Sequence, residues 1–245
     1  MKIAAFTIVR DEGDFLKKWY NYYKRHVNMS DIYILDNESV DGSTEGYQNV
    51  EKVVSPNGAF DHKWLVKVVE GKQRELLEKY DVVVFAEADE FLVHPMGLRD
   101  YIESLGAGFK NVRAKSFDIY QCPKTEPDMP LCSPINQHRK YWADQLGSLM
   151  DKTLISAVPM SWGMGFHKPQ GEVPAYGKDL LMIHTHFMDL AASIKKQKYR
   201  QSYAMAACGG GAHNKLPLDK YISFHREFIT APVLIPENVL ALLNF

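Results

Sequence analysis

The first half of the chain alternates short apolar runs with amphipathic stretches. Ile3 to Val9 is an apolar run that stops at Arg10-Asp11-Glu12. It is too short for a signal-peptide core with a cleavage site and reads as a buried strand. Phe15, Trp19, Tyr22, Tyr23 and His26 then recur at helical spacing, with Asp14 expected to cap that helix. Asp31 to Leu35 reads as a second strand. It runs into the turn formers Asp36-Asn37-Glu38-Ser39-Val40-Asp41-Gly42-Ser43. Val50 to Val54 reads as a third strand, and a helix follows from about Asp61 to Tyr80, with Gly71 its weak point. Val82 to Ala86 is apolar throughout, as the middle of a parallel sheet requires. Strands separated by helices predict βαβ units with right-handed crossovers in an open, doubly wound, mostly parallel sheet.

After about Leu105 the pattern changes. Asn111 to Tyr120, Lys152 to Val158 and Asp179 to Thr185 read as strands, and Phe187 to Ala207 as a helix. That helix carries Lys195, Lys196, Lys198 and Arg200 on one face, which solvent or phosphate would suit. Residues 121–140 are rich in proline and polar groups and read as a long loop beside the sheet. Ile229 to Phe245 is apolar with two prolines, which suits core packing. With no repeat or linker, the simplest organisation is one α/β domain over 1–245. Residues 1–105 would form a nucleotide-binding half and 106–245 a variable acceptor half.

Composition narrows the function. Hydrophobic residues make up 46% and charged residues 24% of 245, which excludes disordered, collagen-like and coiled-coil classes. A net charge of -1 gives no global field for nucleic acid. No run reaches the ~20 apolar residues of a membrane span. Three cysteines, Cys122, Cys132 and Cys208, show no CxxC spacing and form neither a disulfide framework nor a zinc knuckle. A cytoplasmic location is the default expectation. A visit to a membrane surface stays open.

In open α/β sheets ligands gather at the carboxyl ends of strands. Three polar clusters stand there: Arg10 to Glu12, Asp36 to Ser43, and Glu87-Ala88-Asp89-Glu90. The last packs three carboxylates between apolar stretches, where mutual repulsion and desolvation favour a bound cation. Oxygen ligands favour Mg²⁺ or Mn²⁺. Helix capping accounts for one of these acids more easily than for three. His184-Thr185-His186 ends another apolar run, and side chains two apart on a strand share a side. Both imidazoles can then face one site, and a mixed carboxylate and histidine shell suits Mn²⁺ better than Mg²⁺. A pair of hydrogen-bonded structural histidines explains the motif as well. His167 follows the turn Ser161 to Phe166, whose Trp162 and Phe166 would suit a sugar ring, though a core tryptophan is the commoner use. Gly209-Gly210-Gly211 lacks the spacing of a phosphate loop.

These residues resemble the nucleotide-sugar glycosyltransferases of GT-A fold, in the broad family 2-like group. The nearer likeness is to the branch with an "RDE" element, a "DN-x-S-x-D-G-S/T" loop and a "D-x-D-E-F" motif. Here these read Arg10-Asp11-Glu12, Asp36 to Ser43, and Glu87-Ala88-Asp89-Glu90-Phe91. The likeness is good over residues 3–93 and loose beyond. It implies that Thr7, Arg10 and Glu12 border the nucleotide and that Asp36 and Asn37 lie near base and ribose. Gln73 and Arg74 would contact the donor. Asp89 would hold the metal, with Glu87 in the place of the motif's first acid; apart from the resemblance, the strand reading lets His184 or His186 complete the shell, and the turn reading puts His167 beside the donor sugar. Asn37 stands where many relatives have a second Asp, and Glu87 where the motif has its first Asp. The implied reaction moves a sugar from a nucleoside diphosphate, UDP favoured, to an acceptor hydroxyl with inversion. The acceptor would be a saccharide or glycolipid, as in polysaccharide biosynthesis. A general base is needed on the acceptor side, with Asp144 ahead of Asp118. Two other readings stay open: a metal-dependent hydrolase using His167, His184, His186 and the acids, and a catalytically silent nucleotide-sugar binding module.

Overall fold

The computed structural model describes residues 1–122, 124–144, 149–206, 212–229 and 233–245. β1 (Ile3–Val9) is buried at all seven positions. It pairs in parallel with β2 (Ile32–Asp36) on one side and β4 (Val82–Phe85) on the other, and β3 (Val50–Lys52) extends the edge beyond β2. This is the parallel sheet that the alternating pattern predicts. Strands β1 and β4 lie inside it and carry no polar side chain except Thr7, because both of their faces are covered. Between them run α1 (Gly13–Tyr23) and α2 (His62–Leu77). Helix α1 buries Phe15, Leu16, Trp19, Tyr22 and Tyr23. Asp14 does not cap it: the N-cap position is Glu12, with no side-chain cap, and Asp14 lies in the first turn. Asp61 does cap α2, accepting from Lys63 N and Trp64 N. Gly71 lies within that helix without breaking it.

A strand that the sequence reading did not separate, β5 (Glu90–Val93), follows β4 directly, and α3 (Leu98–Ser104) succeeds it. Beyond β4 the sheet continues through antiparallel partners. β8 (Lys152–Ser156) pairs with β4, β6 (Asn111–Tyr120) with β8, and β7 (Tyr141–Ala143) with β6. β10 (Val233–Leu234) finishes that edge against β7. β9 (Tyr176–His184) lies parallel to β6 and antiparallel to β5. Among the described residues ten strands thus form one sheet of order β10-β7-β6-β8-β4-β1-β2-β3, with β9 on β6 and β5 on β9. The architecture is α/β, a large sheet flanked by helices, with a Rossmann-like parallel half.

The expected loop at 121–140 contains a short helix, α4 (Ile135–His138). Helix α5 (Leu190–Ser202) is shorter than the basic stretch predicted, and Asp189 caps it by accepting from Ala192 N. Helices α6 (Leu218–Ile229) and α7 (Glu237–Leu240) follow. The C-terminal segment packs inward, with Leu243 and Phe245 in the core. One close approach fixes a glycine: a Cβ on Gly177 would stand 2.2 Å from Tyr101 Oη, where β9 passes α3. Cys208 and Gly209-Gly210-Gly211 lie outside the described residues. No described helix is long and apolar enough to cross a membrane.

Candidate metal centre and cleft

The carboxyl ends of β1, β2 and β4 are neighbours, because Val9 pairs with Asp36 and Phe6 with Phe85. Asp11 ties two of the polar clusters together. Its Oδ1 accepts from Val40 N at 2.7 Å and Asp41 N at 3.0 Å, and its N–H donates to Ser39 Oγ. Asp36 is likewise spent locally, accepting from Ser39 N and from the Thr44 hydroxyl. Asn37 donates to the Val53 carbonyl and Ser55 Oγ. It lines a small cavity of about 120 Å³, together with Arg10, Glu12, His62 and Tyr203.

The third cluster meets the histidine motif through strand register. Glu90 pairs with His184 across β5 and β9, and Thr185 N donates to the Asp89 carbonyl at 2.8 Å. The Thr185 hydroxyl reaches the same carbonyl at 3.0 Å. This pairing sets Asp89 beside both imidazoles, whose rings stand 5.7 Å apart and nearly parallel. One ligand atom from each of Asp89, His184 and His186 falls within 4.8 Å of the others. Asp89 Oδ2 is 3.3 Å from His186 Nδ1 and 3.7 Å from His184 Nε2.

Each imidazole is oriented from behind. Asp118 Oδ1 lies 2.6 Å from His184 Nδ1, and Tyr221 Oη lies 2.9 Å from His186 Nε2. The nitrogens left over, His184 Nε2 and His186 Nδ1, are the two that face Asp89. Burial alone would lower the His184 pKa, but Asp118 and Asp89 push it up to about 10. Burial holds His186 down at about 3, hence neutral. Burial would also raise Asp89, yet Lys196 and the two histidines keep it well below the usual carboxylate range. One carboxylate and two imidazoles, with outer partners fixing the ring orientation, form a donor set that fits a first-row divalent ion.

Glu87 and Glu90 belong to a different arrangement. Lys152 opens β8 and is 2% exposed, with Nζ 2.5 Å from Glu87 Oε2 and 2.5 Å from Glu90 Oε1. Glu87 is therefore held by an ammonium and is not part of the triad. Burial opposes its ionisation, but Lys152 pulls it down to about 2. Burial raises Glu90 against the same ammonium. The glutamates stood out in the sequence, but their partner showed only as a Lys heading an apolar run.

Triad and network share a cavity of about 470 Å³, which Asp118 and His167 also line. His167 Nδ1 lies 3.2 Å from the Met150 carbonyl, so that nitrogen carries the proton. Burial and Lys152 push His167 down to about 3. A larger open groove of about 1070 Å³ runs past α1 and α5. Arg200 lines this groove, the small cavity and the triad cavity. Among the described residues no hydrogen bond or ion pair engages its guanidinium. Arg10 lies against Tyr203, 4.7 Å from the ring centre, and 4.0 Å from Glu38. Glu12 is paired with Lys196 at 2.6 Å, and burial raises its carboxyl.

Several expected residues lie elsewhere. Asp144 follows β7, pairs with Lys115 at 3.7 Å and lines none of these cavities. Gln73 is fully buried, donating to Ser156 Oγ and accepting from Met160 N, so it braces α2 against the loop after β8. Arg74 is exposed and pairs with Glu70. Thr7 is buried inside β1, two residues short of the strand end. Lys152, His62 and Tyr221 carry contacts at the site that the sequence did not single out, and Lys196 was visible only as one charge on a basic helix face.

Scans against family models and curated proteins gave no match. Among solved structures, the chain is similar to CMP:2-keto-3-deoxy-manno-octonic acid synthetase complexed with CTP. That likeness has 9% identity and a TM-score of 0.34 over 99% of this chain and 98% of the other. It is also similar to a mannose-1-phosphate geranyltransferase from Thermus thermophilus, at 10% identity and a TM-score of 0.34 over 96% of this chain and 69% of the other. Likeness at this level carries no argument about fold or function. The reading of the site rests on its own geometry.

Proposed function

We propose that this chain is a metal-dependent glycosyltransferase of GT-A type that uses a nucleoside diphosphate sugar. The observation that carries the reading is the Asp89, His184 and His186 cluster at the carboxyl end of a parallel sheet, with Arg200 lining the same cavity. Asp89 Oδ2, His184 Nε2 and His186 Nδ1 would hold the ion, and their mixed oxygen and nitrogen set suits Mn²⁺ better than Mg²⁺. Such an ion supplies positive charge to the departing diphosphate. Asp118 and Tyr221 hold the two rings at the angle that ligation needs. Arg200 offers a forked donor to phosphate oxygens from the junction of the three cavities. Arg10, Glu12, Asn37 and Tyr203 bound the small cavity, which suits part of a nucleoside. His167 stays neutral, and its Nε2 accepts from a sugar hydroxyl without adding charge. Lys152 keeps Glu87 ionised and holds both glutamates fixed beside the acceptor space. Of the two bases expected, only Asp118 lines the cavity, and there it already serves His184. One domain spanning 1–245 accommodates this division of labour.

The test is thermal. UDP with Mn²⁺ at about 100 times Kd should stabilise the protein by about 2.7 kcal/mol. At roughly 2–4 °C per kcal/mol for a chain of this size, the melting temperature rises by roughly 5–10 °C. Asp89→Ala removes that rise. No shift with any nucleoside diphosphate and Mn²⁺ overturns the reading. The hydrolase reading has one observation in its favour, the carboxylate behind His184, an arrangement common at zinc sites. It is preferred if phosphoester hydrolysis proceeds with the ion alone and no nucleotide shifts the melt.

A further inference from the structure

The ammonium of Lys196 holds the carboxylate oxygen that an ion at the triad would take. Its Nζ is 3.1 Å from Asp89 Oδ2 and 2.6 Å from Glu12 Oε2. The same Oδ2 is the oxygen nearest both imidazoles. The contact is built and largely dry: the Lys196 side chain is 11% exposed, and its ammonium rests 4.7 Å from the centre of the Phe15 ring. The helix that carries it is tied to the ligand segment. Ser193 Oγ donates either to the His186 carbonyl or to the Asp189 carbonyl, both at 2.6 Å. Lys196 is therefore held by the fold opposite Asp89.

A divalent ion and an ammonium repel strongly when they share one carboxylate oxygen. The ion can be seated only if Lys196 withdraws from Asp89. Its four-carbon stem allows that movement, but the withdrawn ammonium keeps only Glu12 of its two carboxylates, and a second anion would restore what it loses. Arg200 lies four residues on, so it shares a helix face with Lys196 one turn away. An anion that reaches both the triad and Arg200 passes the end of Lys196. A diphosphate has that reach and charge.

We propose that Lys196 is a tethered counter-ion, which occupies the triad's oxygen until a nucleoside diphosphate arrives and then moves to the phosphates. The proposal rests on Asp89 being an ion ligand. Its consequence is that ion and nucleotide are admitted together. An ion arriving alone leaves the displaced ammonium with Glu12 as its one carboxylate in place of two. With a diphosphate present, the ammonium exchanges one carboxylate for a phosphate and keeps its charge partner. Coupling of this kind is reciprocal, so the ion strengthens the nucleotide by the factor with which the nucleotide strengthens the ion.

The experiment follows free aqueous Mn²⁺ by electron paramagnetic resonance as the full chain is added, with and without UDP. The association of UDP with Mn²⁺ in buffer is measured separately. Wild type, Lys196→Met and Lys196→Arg are compared. The wild type should bind Mn²⁺ alone weakly and much more tightly with UDP. Lys196→Met should bind Mn²⁺ alone at least about tenfold more tightly than wild type, the size of one charge-assisted contact. Its gain from UDP should shrink correspondingly. Lys196→Arg keeps the charge and should behave as wild type. Lys196→Gln is the second neutral variant should the methionine chain fail to fold, with the same expectation. If the neutral variants bind Mn²⁺ alone no more tightly than wild type, while Asp89→Asn still abolishes binding with UDP, the counter-ion is overturned and the ion site stands. If wild type holds no Mn²⁺ through Asp89 even with UDP, the ion site and the counter-ion both fall.

Discussion

Asp118→Ala separates two roles that one carboxylate could play. Asp118 is 4% exposed and its Oδ1 is 2.6 Å from His184 Nδ1. If it orients His184, its loss weakens ion binding. Removal of such an outer partner lowers metal affinity about 10–100-fold, or about 1.4–2.7 kcal/mol. A charge-assisted hydrogen bond of roughly 1.5–3 kcal/mol agrees with that range. A competing effect has to be weighed. Asp118 also favours the proton on His184, whose pKa it and Asp89 push up to about 10, and an ion must displace that proton. A dication at the same nitrogen is attracted about twice as strongly as a proton at equal distance, so the ion gains more from Asp118. The net effect of the substitution is therefore weaker ion binding. The assay is Mn²⁺ titration with UDP present at pH 8, alongside a melting curve to show that the fold persists. Unchanged Mn²⁺ affinity with sugar transfer lost by about a thousandfold or more would refute the orienting role and make Asp118 the base.

Lys152→Met should lower the melting temperature sharply. It leaves Glu87 and Glu90 without their ammonium in the cavity wall, a loss of about 3–5 kcal/mol, or roughly 6–20 °C for a chain this long. Calorimetry should show partial recovery when Glu87→Gln and Glu90→Gln are added, because the stranded charges are then gone. A pH series tests His167, whose folded pKa of about 3 lies below its ordinary value of 6.5. The unfolded state binds the proton more tightly, so this contribution is full above pH 6.5 and fades as pH falls toward 3. Each pH unit removes up to about 1.4 kcal/mol. The wild-type melting temperature should fall below pH 6, and His167→Gln should flatten that fall.

The parallel half of the sheet was legible because β1, β2 and β4 are short β-branched runs between helices of clear period. The second half was harder for a physical reason. Phe91-Leu92-Val93 reads as the tail of an acidic motif, and only the pairing of β5 with β9 makes it a strand. The meeting of Asp89 with His184 and His186 was anticipated from residue types, but the register that joins them has no local signature. Asp144 looked suited to base chemistry beside Trp142, yet it pairs with Lys115 of β6. Gln73 looked like a donor contact and is a brace, since burial on a helix face is set by what packs against it. Lys152 was invisible as a site residue, and Lys196 gave no sign of meeting Asp89, because their partners lie 65 and 107 positions away along the chain.

The register of β5 on β9 has a consequence for biosynthesis. Asp89 lies 97 positions from His186, His184 is hardly nearer along the chain, and among the described residues these are the imidazoles that contact that aspartate. A growing polypeptide still tethered to the ribosome can form the parallel strands long before it owns a coordination site. Metal capture at this triad would therefore come too late to template early folding. It would act instead as a late inspection, passed only by molecules in which β9 has already zipped onto β5.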